Sequence, residues 1–99
     1  MVAQIPIDRQ RIADFCRRHH IRKLSLFGSV LRKDFRPDSD VDVLYVFDPD
    51  HIPGWEIVDI ASELERLLGR SVDFVSEKHL DGLLRRRVME SVEVIYAEG

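Results

Sequence analysis

The stretch LSLFGSVLRKDFRPDSDVDVLYVF, residues 24–47, decides how this 99-residue chain folds. Leu24 and Leu26 alternate with Ser25 and Phe27, which is the period of a strand buried on one face, and Gly28 ends the run. Val41 to Phe47 is β-branched or aromatic at nearly every position and is closed by Asp48-Pro49-Asp50. A run this apolar belongs in the middle of a sheet with both faces covered. Between the two strands, Ser29 to Lys33 suits a brief helical turn, and Phe35-Arg-Pro-Asp-Ser39 is loop material.

Working outward, Ile12, Phe15 and Cys16 fall at helical spacing among polar residues, and Asp8 is placed to cap that helix. Ile57, Val58, Ala61, Leu64, Leu67 and Leu68 repeat at steps of three and four, and Gly69 is a C-terminal stop. Ser71 to Ser76 then reads as a third strand, and Leu80, Leu83, Leu84 and Val88 suggest a third helix. Val92 to Tyr96 reads as a closing strand. The order α-β-turn-β-α-β-α-β predicts an α/β (α+β) domain, one unit over residues 1–99, with a small sheet covered by helices.

The formal charge of -3, with 33% of residues charged, lacks the basic excess of a dedicated nucleic-acid binder, so nucleic acid is not expected as a partner. Cys16 is the only cysteine, which rules out an internal disulfide or thiolate cluster and fits a reducing compartment. No apolar stretch approaches the roughly 20 residues that span a bilayer, and no signal-peptide core is present, so a cytoplasmic protein is expected.

Asp40 and Asp42 lie two apart and therefore on one face at the entrance to the apolar strand. Such a pair repels itself unless solvated or bridged by a hard cation such as Mg²⁺, which prefers oxygen ligands. Asp73 stands in an otherwise apolar strand. It either joins the pair from a neighbouring strand or is an edge-strand carboxylate in water. Three converging carboxylates could hold two metal ions about 4 Å apart. Gly28 would let backbone approach a phosphate, with the amides of Ser29 and the following turn as donors. The combination points to nucleotidyl transfer. Neither a Gly-Lys-Ser/Thr loop nor G-x-G-x-x-G occurs, which excludes P-loop and Rossmann sites. Asp-x-Asp phosphatases carry their pair after an apolar strand rather than before it, and the chain is short for a nucleotide-sugar domain.

Leu24-Ser-Leu-Phe-Gly-Ser-Val-Leu-Arg32 through Ser39-Asp-Val-Asp-Val-Leu44 resembles the G-S-x10-D-x-D signature of the minimal nucleotidyltransferases, in the DNA polymerase beta superfamily. The resemblance continues through the helix at Trp55 to Leu68, the strand with Asp73 and the closing Val-Ile-Tyr96. It implies a polymerase beta-type nucleotidyltransferase fold with a small mixed sheet flanked by helices, and Mg²⁺-dependent transfer of a nucleoside monophosphate from ATP to a hydroxyl. It further implies that Gly28, Ser29 and Arg32 bind the nucleotide. Asp40, Asp42 and Asp73 would be the metal-binding and catalytic carboxylates, with Asp73 as base or ligand for the acceptor. Lys33 stands where the family often has glycine. Members of this kind commonly act as antitoxins, paired with a HEPN-type toxin to which they attach AMP on a tyrosine, so a hetero-oligomer or homo-oligomer is expected. Two other readings stay open: an antitoxin that works by binding alone, and a small RNA-modifying transferase using Arg85 to Arg87.

The remaining candidates have plainer readings. Arg32 is either a phosphate contact or an ion-pair partner of Asp34 or Asp38, and Arg85 to Arg87 read first as a solvated helix face. His19, His20, His51 and His79 show no ligand spacing with the carboxylates, and Cys16 reads as a small core residue. Trp55 shields the core or lines a partner surface.

Overall fold

A computed structural model describes residues 5–31, 36 and 40–98, with backbone alone at Ser29 and Val30. Its elements follow the expected order: α1 (Arg9–Arg18), β1 (Ile21–Phe27), β2 (Val41–Phe47), α2 (Ile57–Leu68), β3 (Val72–Ser76), α3 (Gly82–Met89) and β4 (Glu93–Ala97). Short 3-10 turns follow β1, β2 and β3.

Asp8 caps α1, its carboxylate accepting from the Arg11 amide at 3.1 Å. Ile12, Phe15 and Cys16 form the buried stripe of that helix. Burial pushes the Cys16 thiol up to about 12, so it stays protonated and behaves as a small apolar group. Helix α2 ends where Gly69 adopts the left-handed conformation, φ 69°, and its amide donates to the Glu65 carbonyl at 2.8 Å.

The sheet order is β3-β2-β1-β4, with β2 and β3 parallel and the other pairs antiparallel. Strand β2 is therefore interior, as its apolar run predicts. One face carries Leu24 and Leu26 of β1 with Val41, Val43 and Phe47 of β2, and packs with Ile12 and Phe15 of α1 and Ile60 and Leu64 of α2 into the core. In β4 the register shifts opposite Leu24 and Ser25, which pair with Tyr96 and Val94. The extra residue, Ile95, is 4% exposed and enters the core beside Tyr96.

The second face carries Lys23, Ser25 and Phe27 of β1 and Asp42, Leu44 and Val46 of β2 by strand alternation. The β2-α2-β3 and β3-α3-β4 connections both join parallel strands but travel in opposite directions across the sheet. The right-handed crossover rule therefore sets α2 and α3 on opposite faces. Polar contacts tie α3 to the second face. Arg85 donates to the Glu77 carbonyl at 3.0 Å and lies 3.6 Å from its carboxylate, which is 3.7 Å from the Lys23 ammonium.

Four apolar residues depart from the expected burial, and Val58, counted in the α2 stripe, is 63% exposed. Leu83 and Leu84 of α3 are 61% and 60% exposed, and α3 buries no residue, because its hold on the sheet is the Arg85 and Glu77 link rather than an apolar stripe. Trp55, just before α2, is 92% exposed and shields no core. No described helix is long and apolar enough to cross a membrane.

Glu63 joins the two core helices, accepting from Arg18 and lying 2.9 Å from the His19 ring. The Arg18 hydrogen bond holds the Glu63 carboxyl below its ordinary 4.5. A depressed carboxyl contributes stability above its unfolded-state value and loses it as pH falls through the folded-state value. Glu63→Gln should therefore flatten the acid limb of a stability-against-pH curve measured by urea unfolding. An unchanged slope would show that the pair carries no net stabilisation. Asp8→Ala should cost about 1 kcal/mol and lower the melting temperature by roughly 4–8 °C in calorimetry.

Candidate active site

Strand register brings together two of the three predicted carboxylates, Asp42 and Asp73, and does not group Asp40 with them. Asp42 pairs with Phe27 on β1 and with Asp73 on β3, so the two aspartates sit side by side on neighbouring strands about 4.8 Å apart and face the same way. Asp42 is half-buried and Asp73 exposed. β3 is an edge strand, so Asp73 stands in water as well as beside Asp42. Asp40 is exposed one residue before β2, where the Val41 amide donates to the Ser71 carbonyl at 2.9 Å and locks the start of both strands.

Gly28 follows β1 directly and has φ 75°, a conformation that strains any L side chain. A Cβ at this position would collide with the Asp42 carboxylate. The glycine therefore makes room for a carboxylate as well as for backbone approach to a phosphate. Gly28–Leu31 forms the expected helical turn of 3-10 type, with Leu31 buried as its anchor. Of Ser29 only the backbone is described, within this turn. Arg32, Lys33 and Ser39 lie outside the described residues. The Arg70 guanidinium donates to the Arg36 carbonyl at 3.1 Å, which ties Arg36 to the end of α2.

Among the described residues no three His, Cys, Asp or Glu side chains are grouped to hold a metal. Mg²⁺ does not require such a group, since it is usually bound through one or two carboxylates with substrate phosphates and water. The all-oxygen pair Asp42 and Asp73, with Asp40 at the strand entrance, fits that chemistry.

Lys23, Glu77 and Arg85 share the sheet face of the carboxylates at its other end, and the sequence reading did not single out Lys23 or Glu77. Glu77 is a residue whose side chain is only 12% exposed, and its Oε2 has no hydrogen-bond partner. The signal for Lys23 was its strand phase, opposite to Leu24. For Glu77 there was none, because its partners come from β1 and α3. Ser25 on this face is 1% exposed and its hydroxyl is also without a hydrogen-bond partner. Arg86 and Arg87 are exposed, as a solvated face requires, whereas Arg85 is engaged with Glu77. The His20 and His51 rings stack with centroids 3.9 Å apart, at the far end of β2 from Asp42.

A four-stranded mixed sheet backed by helices, with paired aspartates at the entrance of its central strand beside a Gly-Ser turn, defines a nucleotidyltransferase. The chain belongs to the polymerase beta nucleotidyltransferase family, whose profile matches residues 10–98, and it is an enzyme of the transferase class. It is 35% identical to the protein adenylyltransferase MntA of Thermococcus cleftensis, over 80% of this chain and 77% of that protein. A solved structure assigned provisionally as a minimal nucleotidyltransferase is also 35% identical, with a TM-score of 0.71 over 86% of each chain. At 19% identity the fold is shared with a structure of tri-AMPylated Shewanella oneidensis HEPN toxin in complex with MNT antitoxin, with a TM-score of 0.62 over 90% of this chain and 69% of that one.

Gly28→Ala should abolish activity and destabilise the fold by more than 1 kcal/mol through its strained φ. Part of that cost comes from Asp42, so the substitution should be cheaper in an Asp42→Ala background when both are compared by urea unfolding. Strictly additive costs would show that the two positions do not touch.

Proposed function

We propose that this chain transfers AMP from ATP, with Mg²⁺, to the hydroxyl of a tyrosine in a HEPN-type toxin and so acts as its antitoxin in the cytoplasm. The observation that carries the reading is the register that seats Asp42 beside Asp73 with Gly28 giving way to the carboxylate. The relatedness to a protein adenylyltransferase supports a protein acceptor, and the shared fold with the MNT partner of an AMPylated toxin is consistent with it.

Asp40, Asp42 and Asp73 would hold Mg²⁺, most simply two ions, while the turn at Gly28 and Ser29 receives the triphosphate and Arg32 adds a cation. The metal, when bound, supplies positive charge to the triphosphate and to the departing pyrophosphate. Asp73, exposed on the edge strand, is accessible to an incoming acceptor and would take the proton of its hydroxyl as the oxygen attacks the α-phosphorus and the bond to pyrophosphate breaks.

Incubation with Mg²⁺, ATP and the product of the neighbouring gene should raise the intact mass of that product by one or more AMP units. Asp42→Asn keeps the shape but removes the charge, and should slow transfer by about 100-fold or more. Transfer undiminished by that substitution, or absent from the wild type, rejects the proposal. Removal of Mg²⁺ by EDTA should stop the reaction, and added Mg²⁺ should restore it.

A further inference from the structure

Ile52, Trp55 and Val58 stand 60%, 92% and 63% exposed within one short stretch that leads into α2. Ile52 also lines a pocket of about 190 Å³ with Tyr45, Phe47, Pro53 and Ile57, and Lys78 and His79 line it too. Trp55 lies two residues in sequence from Pro53 and from Ile57, which line that pocket, and an almost fully exposed tryptophan is the kind of anchor around which protein interfaces form. Interleaved with these residues are Asp50, Glu56 and Asp59. All three are exposed, and among the described residues none has an ion-pair partner. By contrast the nearby Asp48 is matched with Arg22 and His51. The patch is thus apolar at its centre and acidic along its α2 flank, and its complement is an apolar ridge flanked by lysines or arginines. An amphipathic helix presents that arrangement.

The patch lies toward the C-terminal ends of β2 and β3, whereas Asp42 and Asp73 lie at their beginnings. Asp42 and Phe47 are five residue steps apart along β2, or about 17 Å. A partner held at the patch leaves the carboxylates uncovered.

We propose that Ile52, Trp55 and Val58, with the adjoining pocket and the carboxylates of Asp50, Glu56 and Asp59, dock a basic amphipathic helix of the acceptor protein. This rests on the reading above that the acceptor is a protein. Docking and chemistry then occupy opposite ends of the sheet, and the patch sets affinity for the acceptor without entering the transfer step.

Trp55 is the only tryptophan, so 5-fluorotryptophan labelling of this chain gives one ¹⁹F resonance that reports on the patch. In labelled Asp42→Asn protein, adding the purified neighbouring-gene product should shift or broaden that resonance. In calorimetric titrations Trp55→Ala should bind the same product about thirtyfold more weakly. Reversing Asp50, Glu56 and Asp59 together to lysine should also weaken binding and invert its salt dependence, since added salt then screens a repulsion. In the otherwise wild-type enzyme Trp55→Ala should raise KM for the acceptor and leave kcat unchanged. An unmoved resonance with undiminished binding by both variants overturns the proposal. So does a concentration-dependent shift in this chain alone, accompanied by a dimer that Trp55→Ala dissolves, which assigns the patch to a second copy. Because binding is read in the Asp42→Asn background, tight Trp55-dependent binding without AMP transfer by the wild type refutes the reaction and leaves the docking site standing.

Discussion

Asp42 is held from both sides by backbone pairing, to Phe27 across an antiparallel ladder and to Asp73 across a parallel one. That double registration sets where everything else can go. A slip of one residue in β2 would turn Asp42 into the core and bring Val41 and Val43, both 0% exposed, out to the other face. The apolar burial that specifies the fold therefore also specifies the position of the carboxylate. Gly28 completes the constraint, since the chain leaving β1 must pass Asp42 so closely that no side chain fits between them.

Because β2 is interior, its two faces are given different work. One is closed by α1 and α2 over Leu24, Leu26, Val41 and Val43, a core continuous enough to keep the sheet rigid. The other places Asp42 at one end and the Lys23, Glu77 and Arg85 link at the other, with buried Leu44 and Ser25 between them. Rigid backbone on one side of a strand and ionisable groups on the other is a sound basis for a site whose geometry must hold two like charges together.

The sequence made legible whatever is local or periodic. The stripe of α2, its stop at Gly69, the Asp8 cap and the strand at Val41 to Phe47 are each written in spacings of a few residues, and the structure has them within a residue or two. The pairing of Asp42 with Asp73 was legible only as one of two readings, because a helix between two strands makes them parallel without making them adjacent, as β3 and β4 at opposite edges of the sheet show. Side-chain exposure was less readable. Leu83 and Leu84 have helical spacing but no partner face, and Trp55 precedes α2 without belonging to its stripe, so periodicity alone treated buried and exposed apolar residues alike. The contact between Gly28 and Asp42 spans fourteen positions and depends on how closely β1 and β2 approach, which no local pattern records.

Placing Asp73 on β3 has a further effect, because β3 forms an open rim of the sheet. Unpaired strand backbone invites another strand to add to it, and a charge on the rim discourages that addition. Val72, Phe74 and Val75 would otherwise leave this rim largely uncharged and β-prone. The carboxylate proposed to serve the reaction would thus also discourage strand addition, so that chemistry and colloidal behaviour at this rim would share a single side chain.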